Sequence, residues 1–239
     1  MSENRKFSVL MSVYVKENPA FLEEAVESIL HQTLKPSEVV IVEDGPLTPE
    51  LYQVLEKLEA QSSIPIKRCP LEQNRGLGLA LQYGVLQCQY DVIARMDTDD
   101  IAVEDRFEQQ FELMEKENLD LLGGHIAEFI DQPDEIVSYR RVPTKHEDII
   151  AYQRMRSAFN HMTVMFKKEM VLKAGNYEDG LYMEDDLLWL NMISAGARTG
   201  NVDQILCKVR VGAGMFERRG GLRYLKLYRQ ARKRMHARG

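Results

Sequence analysis

The sequence predicts an α/β fold, a mostly parallel central sheet flanked by helices, and three observations carry that expectation. Strand-like and helix-like segments alternate through the first half of the chain, as successive βα units do. Val39-Val40-Ile41-Val42 is a continuous apolar run of the kind that a sheet covered on both faces buries. Val92-Ile93-Ala94 is another, and Asp97, Asp99 and Asp100 follow it almost at once. Open α/β sheets bind ligands just beyond the carboxyl ends of their strands.

Taken in order, residues 7–14 read as a strand and 19–32 as an amphipathic helix with Phe21, Leu22, Ala25, Val26, Ile29 and Leu30 on one side. Residues 39–42 form the second strand, and Pro49 opens a helix to about Ala60, proline being favoured in a first turn. A weaker strand over 64–69, a helix over 77–87 and a strand over 90–96 complete the alternating part. Thereafter the rhythm loosens. Helices are expected over 106–118, 147–156, 168–174 and 184–194, the last ending near Gly196, and strands over 119–129, 136–142 and 162–166. No repeat or linker interrupts the chain. Residues 1–215 are therefore expected to form one domain, in halves 1–105 and 106–215, with 216–239 as a basic amphipathic helical tail.

Composition narrows the class. Hydrophobic content of 44% with 28% charged residues is ordinary for a soluble globular protein. Cys69, Cys88 and Cys207 lie far apart without a C-x-x-C pair, which argues against structural zinc or a disulfide framework and fits a reducing compartment. No apolar stretch approaches the roughly 20 residues of a membrane span, and the polar start lacks the pattern of a signal peptide. A cytoplasmic location is expected. The formal charge of -6 hides an asymmetry: Glu217 to Gly239 holds nine Lys/Arg against one acid, net +8, leaving -14 on the remainder. Leucines among those basic residues suit a helix lying on an anionic membrane surface, peripheral on the inner face of the cell membrane. A solvated helix, or one resting on the acidic body, is the alternative. Nucleic acid is not expected as a partner, since that segment is not built as an aromatic stacking surface.

Four segments fall where strand ends should meet. Ser12-Val13-Tyr14 closes the first strand, and Glu43-Asp44-Gly45 follows the second. An acid there can accept hydrogen bonds from a base or ribose, though the same residues also make an ordinary glycine turn. Asn74-Arg75-Gly76-Leu77-Gly78 enters a helix with an arginine placed to reach phosphate, without P-loop spacing. In Asp97-Thr98-Asp99-Asp100, three close carboxylates raise one another's pKa, a repulsion that a hard divalent cation resolves. The competing reading is an acidic cap on the next helix. Glu184-Asp185 has the same ambiguity as the acidic first turn of a helix.

In this order the segments resemble the nucleotide-sugar half of family 2 glycosyltransferases, which have the GT-A fold. Later stretches, His161 to Phe166 and Met183 to Leu190, extend the resemblance from Phe7 to about Gly220. It implies a donor-binding half over 1–105 and an acceptor-side half over 106–215. Ser12, Tyr14, Asp44, Arg75, Asp97 and Asp99 would bind the nucleotide-sugar, with Asp44 on the base, usually uracil, and Arg75 near the nucleotide. Asp97 and Asp99 match the D-x-D, the first favouring ribose or sugar hydroxyls and the second the metal, Mn²⁺ or Mg²⁺. Asp100 supports that shell or caps the following helix. His161 is a second metal candidate, against a purely structural role. Asp185 aligns with the general base of inversion, beside Glu184; an aspartate base acts mainly by orienting the hydroxyl and accepting its proton late. Trp189 reads as core rather than as an acceptor contact.

The chain departs from processive relatives in lacking Q-x-x-R-W and spanning helices, which favours single additions. The stretch from Arg210 to Gly221 resembles a mobile loop that closes over the donor, with Arg218 or Arg219 on the diphosphate. The implied function is inverting transfer of a sugar from a nucleoside-diphosphate donor, UDP-linked in most relatives, to a glycan or lipid-linked acceptor in surface polysaccharide biosynthesis. Two other readings stand beside it. A sugar-1-phosphate nucleotidyltransferase would need a glycine-rich basic loop after the first strand, where Tyr14-Val15-Lys16-Glu17-Asn18 stands instead. An inert nucleotide-sugar-binding scaffold would have no need of both Asp99 and Asp185.

Overall fold

The computed structural model describes residues 5–179, 183–212, 229 and 233. Arg218, Arg219 and most of the basic segment lie outside the described residues.

Strands β1 (Phe7–Val13), β2 (Glu38–Glu43), β3 (Ile66–Pro70) and β4 (Val92–Arg95) pair in parallel in the order β3-β2-β1-β4. Helices α1 (Pro19–Leu30), α2 (Pro49–Gln61) and α3 (Leu77–Gln87) connect them. Asn18 starts α1 by accepting the Ala20 N–H at 2.9 Å, and Thr48 starts α2 by accepting that of Leu51 at 3.3 Å; each satisfies an orphan donor of the first turn.

The sheet continues through antiparallel pairs. β8 (Met165–Lys167) pairs β4, β6 (Leu121–Phe129) pairs β8 and the edge strand β7 (Ile136–Arg140), and β5 (Ile101–Ala102) pairs the long β9 (Thr199–Arg210). β9 runs parallel to β6. The α/β class stands, with the parallel strands β1 to β4 coming from the first half of the chain.

Alternation of the strand residues divides the core between the two faces of the sheet. Val9, Met11, Val39 and Ile41 pack towards α1, α2 and α4 (Arg106–Glu117). Leu10, Val40 and Val42 pack towards α3, α5 (His146–Gln153), α6 (Lys168–Lys173) and α7 (Glu184–Ser194). Trp189 is fully buried in the second layer, as expected of a core residue.

Two local expectations need correction. Residues 161–163 form a 3-10 turn, so the strand expected over 162–166 starts only at Met165. β9 was not anticipated: its pairing with β6 shifts register around His125, whose ring meets Asp203 at 2.9 Å and accepts the Val142 N–H at 3.3 Å. Among the described residues, no helix is long and apolar enough to cross a membrane.

Candidate active site

The parallel strands bring their carboxyl ends together, and the topology reverses between β1 and β4, where such sheets open a crevice. Asp44 is fixed against β1 by its own N–H, which donates to Val13 O at 2.8 Å. Its buried carboxylate is already engaged: Oδ1 accepts the Arg75 N–H at 2.7 Å and Oδ2 that of Gly76 at 3.0 Å. Asp44 therefore shapes the loop that presents the exposed Arg75. Gly45 has φ +86, and a Cβ there would meet Asn74 N at 2.6 Å, so this turn requires glycine. Glu43 serves the framework, paired with Arg68 at 2.5 Å.

Beyond β4, Asp97, Asp99 and Asp100 place one carboxylate oxygen each within 4.8 Å of one another. Thr98 turns away from them and donates to Glu17 Oε2 at 2.5 Å, which ties the cluster to the Tyr14–Glu17 turn beside Ser12. Burial, with the Asp97 and Glu17 charges, pushes the Asp99 carboxyl up to about 7. Asp100 is pushed well above its ordinary range by burial and by Asp99 and Asp97, and its Oδ1 accepts the Arg210 N–H at 3.0 Å. Asp100 thus anchors the end of β9. A set of close oxygen donors, one of them held half-protonated near neutrality, fits a hard divalent cation.

His161 lies elsewhere in the site. Its Nε2 is 2.9 Å from the Tyr177 hydroxyl, and its ring meets Trp189 edge-on with centroids 5.8 Å apart. Burial and the Arg95 charge hold the imidazole well below its usual pKa. The three-aspartate cluster does not include it.

The base candidates come from the head of α7. Gly78 explains how they come close to α3: a Cβ on it would meet Glu178 O at 2.5 Å and Glu184 Cβ at 3.0 Å, so α3 and α7 touch where glycine leaves room. Asp186 is buried and accepts from Gln153 Nε2 at 2.8 Å, which locks the start of α7. Burial and the Asp186 and Glu184 charges push Asp185 up to about 7, so it is a stronger base than a free aspartate. Burial likewise raises Glu184, which feels Arg95 and Asp97.

Arg95 had no assigned role. It is 1% exposed, pairs with Asp97 through Nη2, and receives Arg106 Nη2 on its carbonyl at 2.7 Å. Its charge acts on Asp99, Asp100, His161, Tyr177, Glu184 and Asp185. The signal was present in the sequence: an arginine at the end of an otherwise apolar strand is buried only if paired.

Known proteins share this sequence pattern and fold. The Glycosyl transferase family 2 profile matches residues 8–176. The chain is 42% identical over 221 residues to the amylovoran biosynthesis glycosyltransferase AmsE of Erwinia amylovora, covering 92% of this chain and 82% of the relative. It is 38% identical over 220 residues to an Escherichia coli UDP-Gal:alpha-D-GlcNAc-diphosphoundecaprenol beta-1,3-galactosyltransferase, covering 92% and 79% respectively. Among solved structures, S. aureus TarS 1-349 in complex with UDP-GlcNAc superposes with a TM-score of 0.70 at 18% identity, over 95% of this chain and 65% of that one. With the profile running from β1 through the aspartate cluster to the end of α6, this chain belongs to glycosyltransferase family 2 and has the GT-A fold.

Proposed function

We propose that this glycosyltransferase inverts the anomeric centre as it moves a sugar from a UDP-linked donor to a hydroxyl of a glycan or lipid-linked oligosaccharide in surface polysaccharide biosynthesis. The observation that carries the reading is the nearness of two acid groups, Asp97/Asp99/Asp100 beyond β4 and Glu184/Asp185 at the head of α7: the Arg95 charge acts on both, and Asp97 raises Glu184. The donor and acceptor classes are supported by the names of the E. coli and E. amylovora relatives.

Asp44 and Arg75 bind the nucleotide together: the carboxylate sets the loop, and the exposed guanidinium meets the charge of the diphosphate. Ser12 and Tyr14 line the same crevice. Asp97 orients the ribose or sugar hydroxyls, and Asp99 holds Mn²⁺ or Mg²⁺. The bound ion supplies neutralisation of the diphosphate charge that grows as the leaving group departs. His161 stands apart from the aspartate cluster and supports the site through its contact with Tyr177. Asp185 accepts the proton of the acceptor hydroxyl, with Glu184 beside it. In-line displacement requires that base opposite the leaving group, the logic of opposed carboxyl groups in inverting glycosidases. The basic segment 217–239 is suited to keep the enzyme on an anionic membrane, where a lipid-linked acceptor resides.

The test is a thermal-shift and calorimetric panel of UDP-, GDP-, dTDP- and CMP-sugars with and without Mn²⁺. Binding of the UDP class that requires metal and is lost in Asp99→Ala is expected, since a ligand bound only to the native state raises stability by mass action. Asp185→Asn should retain donor binding and lose at least about a hundredfold in turnover, within the usual contribution of a general base. Turnover that survives Asp185→Asn overturns the base assignment. Failure of every nucleotide to bind overturns the donor reading.

A further inference from the structure

The family assignment leaves Arg95 unexplained, and its surroundings are unusual. Its side chain is almost fully enclosed, yet Nε and Nη1 are buried without a hydrogen-bond partner among the described residues. Burying donors in this way is unfavourable, and a fully paired arginine would avoid it. Its side-chain bonding is concentrated at Nη2, on Asp97.

The backbone beneath is firmly held. The Arg95 N–H donates to Val164 O at 2.9 Å, and its carbonyl accepts from Arg106, whose Nε donates to Gln110 Oε1 at 3.0 Å. Gln110 in turn donates to Thr163 O at 2.8 Å. The guanidinium therefore rises from a rigid base into a region where the acids of both halves of the site feel its charge. Asp97 is the partly exposed member of its pair, with 27% of its side chain accessible against 2% for Arg95. The enclosed arginine is the fixed partner, and the carboxylate is the one being aimed.

We infer that Arg95 is the positioning residue of the donor site: it holds Asp97 in one orientation, so that the free carboxylate oxygen faces the nucleotide-sugar. This rests on the proposed donor reading. It makes a prediction opposite to that of bulk charge. A cation beside a metal site repels the metal, so its removal should tighten metal binding if charge alone mattered. Loss of aim instead weakens it.

The experiment is a double-mutant cycle read by calorimetric titration of UDP in the presence of Mn²⁺, with circular dichroism as the folding control. Arg95→Met is expected to weaken UDP·Mn²⁺ binding about tenfold in the wild-type background and less than twofold in the Asp97→Asn background, because residues acting through one contact are not additive. Arg95→Lys, which restores a cation beside Asp97, should recover most of the affinity. If Arg95→Met does not fold, Arg95→Gln carries the same cycle. Equal weakening in both backgrounds, or unchanged or tighter binding in the single variant, overturns the inference. Wild-type protein that binds no UDP·Mn²⁺ overturns the donor reading instead.

Discussion

At the residue scale, the site is made of acids with unlike duties, and their environments separate them. Asp97 and Asp99 are half-buried, whereas Asp100 is buried and bound to the backbone of Arg210. The sequence left Asp100 between supporting the metal shell and capping a helix; its bond to β9 is a third duty, invisible while β9 was unrecognised. Asp44 has a structural task besides any nucleotide contact, because two backbone donors end on it. Asp44→Ala is expected to lower unfolding free energy by about 1.5–3 kcal/mol, the usual scale for hydrogen bonds made to a charged group, and to weaken UDP binding as the Arg75 loop loses its shape. Asp44→Asn, with one acceptor oxygen left, should fall between. Urea unfolding beside UDP titration checks both. A residue that only touched the base would change binding and leave stability alone.

At the element scale, the meeting of α3 and α7 decides whether the proposed donor loop and base share a site. An alanine at Gly78 gains helix propensity of about 1 kcal/mol, but its Cβ presses on a backbone carbonyl and on Glu184, and neither can withdraw freely. Gly78→Ala should therefore shift the head of α7 and lower kcat at least about tenfold, with UDP affinity changed less than threefold. Steady-state kinetics with calorimetry checks the split. Equal losses in both would mean that α7 does not move independently of the donor loop. The helices were legible because their signals are local: Asn18 and Thr48 at caps, Pro19 and Pro49 in first turns, and apolar faces at helical spacing. β1, β2 and β4 were legible as apolar runs. β9 was not, because Gly200, Asn201, Asp203 and Gln204 interrupt the alternation that marks a strand. Its support comes from β6, nearly eighty residues earlier, and pairing at such separation leaves no local pattern. The same limit hid Tyr177 as the partner of His161 and Gln153 as that of Asp186.

For the whole molecule, gathering these acids has a thermodynamic consequence. Asp99 and Asp185 are each raised from 3.8 to about 7, so between those values the folded chain binds more protons than the unfolded chain. Stability then falls as pH rises through that window, since it increases with pH only where the unfolded state holds the extra protons. On the proposed reading the repulsion is the reverse side of the chemistry, because a site that takes up a cation and a hydroxyl proton is uncomfortable without them. Function and stability are opposed here, as at many active sites. The Asp99→Asn/Asp185→Asn double variant should melt above wild type by a margin that widens with pH: at pH 5 only the lower part of the window from 3.8 to about 7 has been crossed. At pH 8.5 it should melt at least about 3 °C higher, a shift of roughly 1 kcal/mol for a chain of this size. Adding Mn²⁺ with UDP at pH 8.5 should raise the wild-type melting temperature and leave the double variant unchanged. Scanning calorimetry across the two pH values checks the sign. A gap that is constant with pH would mean that the two carboxylates are solvated enough to ionise freely, and that the crevice is wetter than its packing implies.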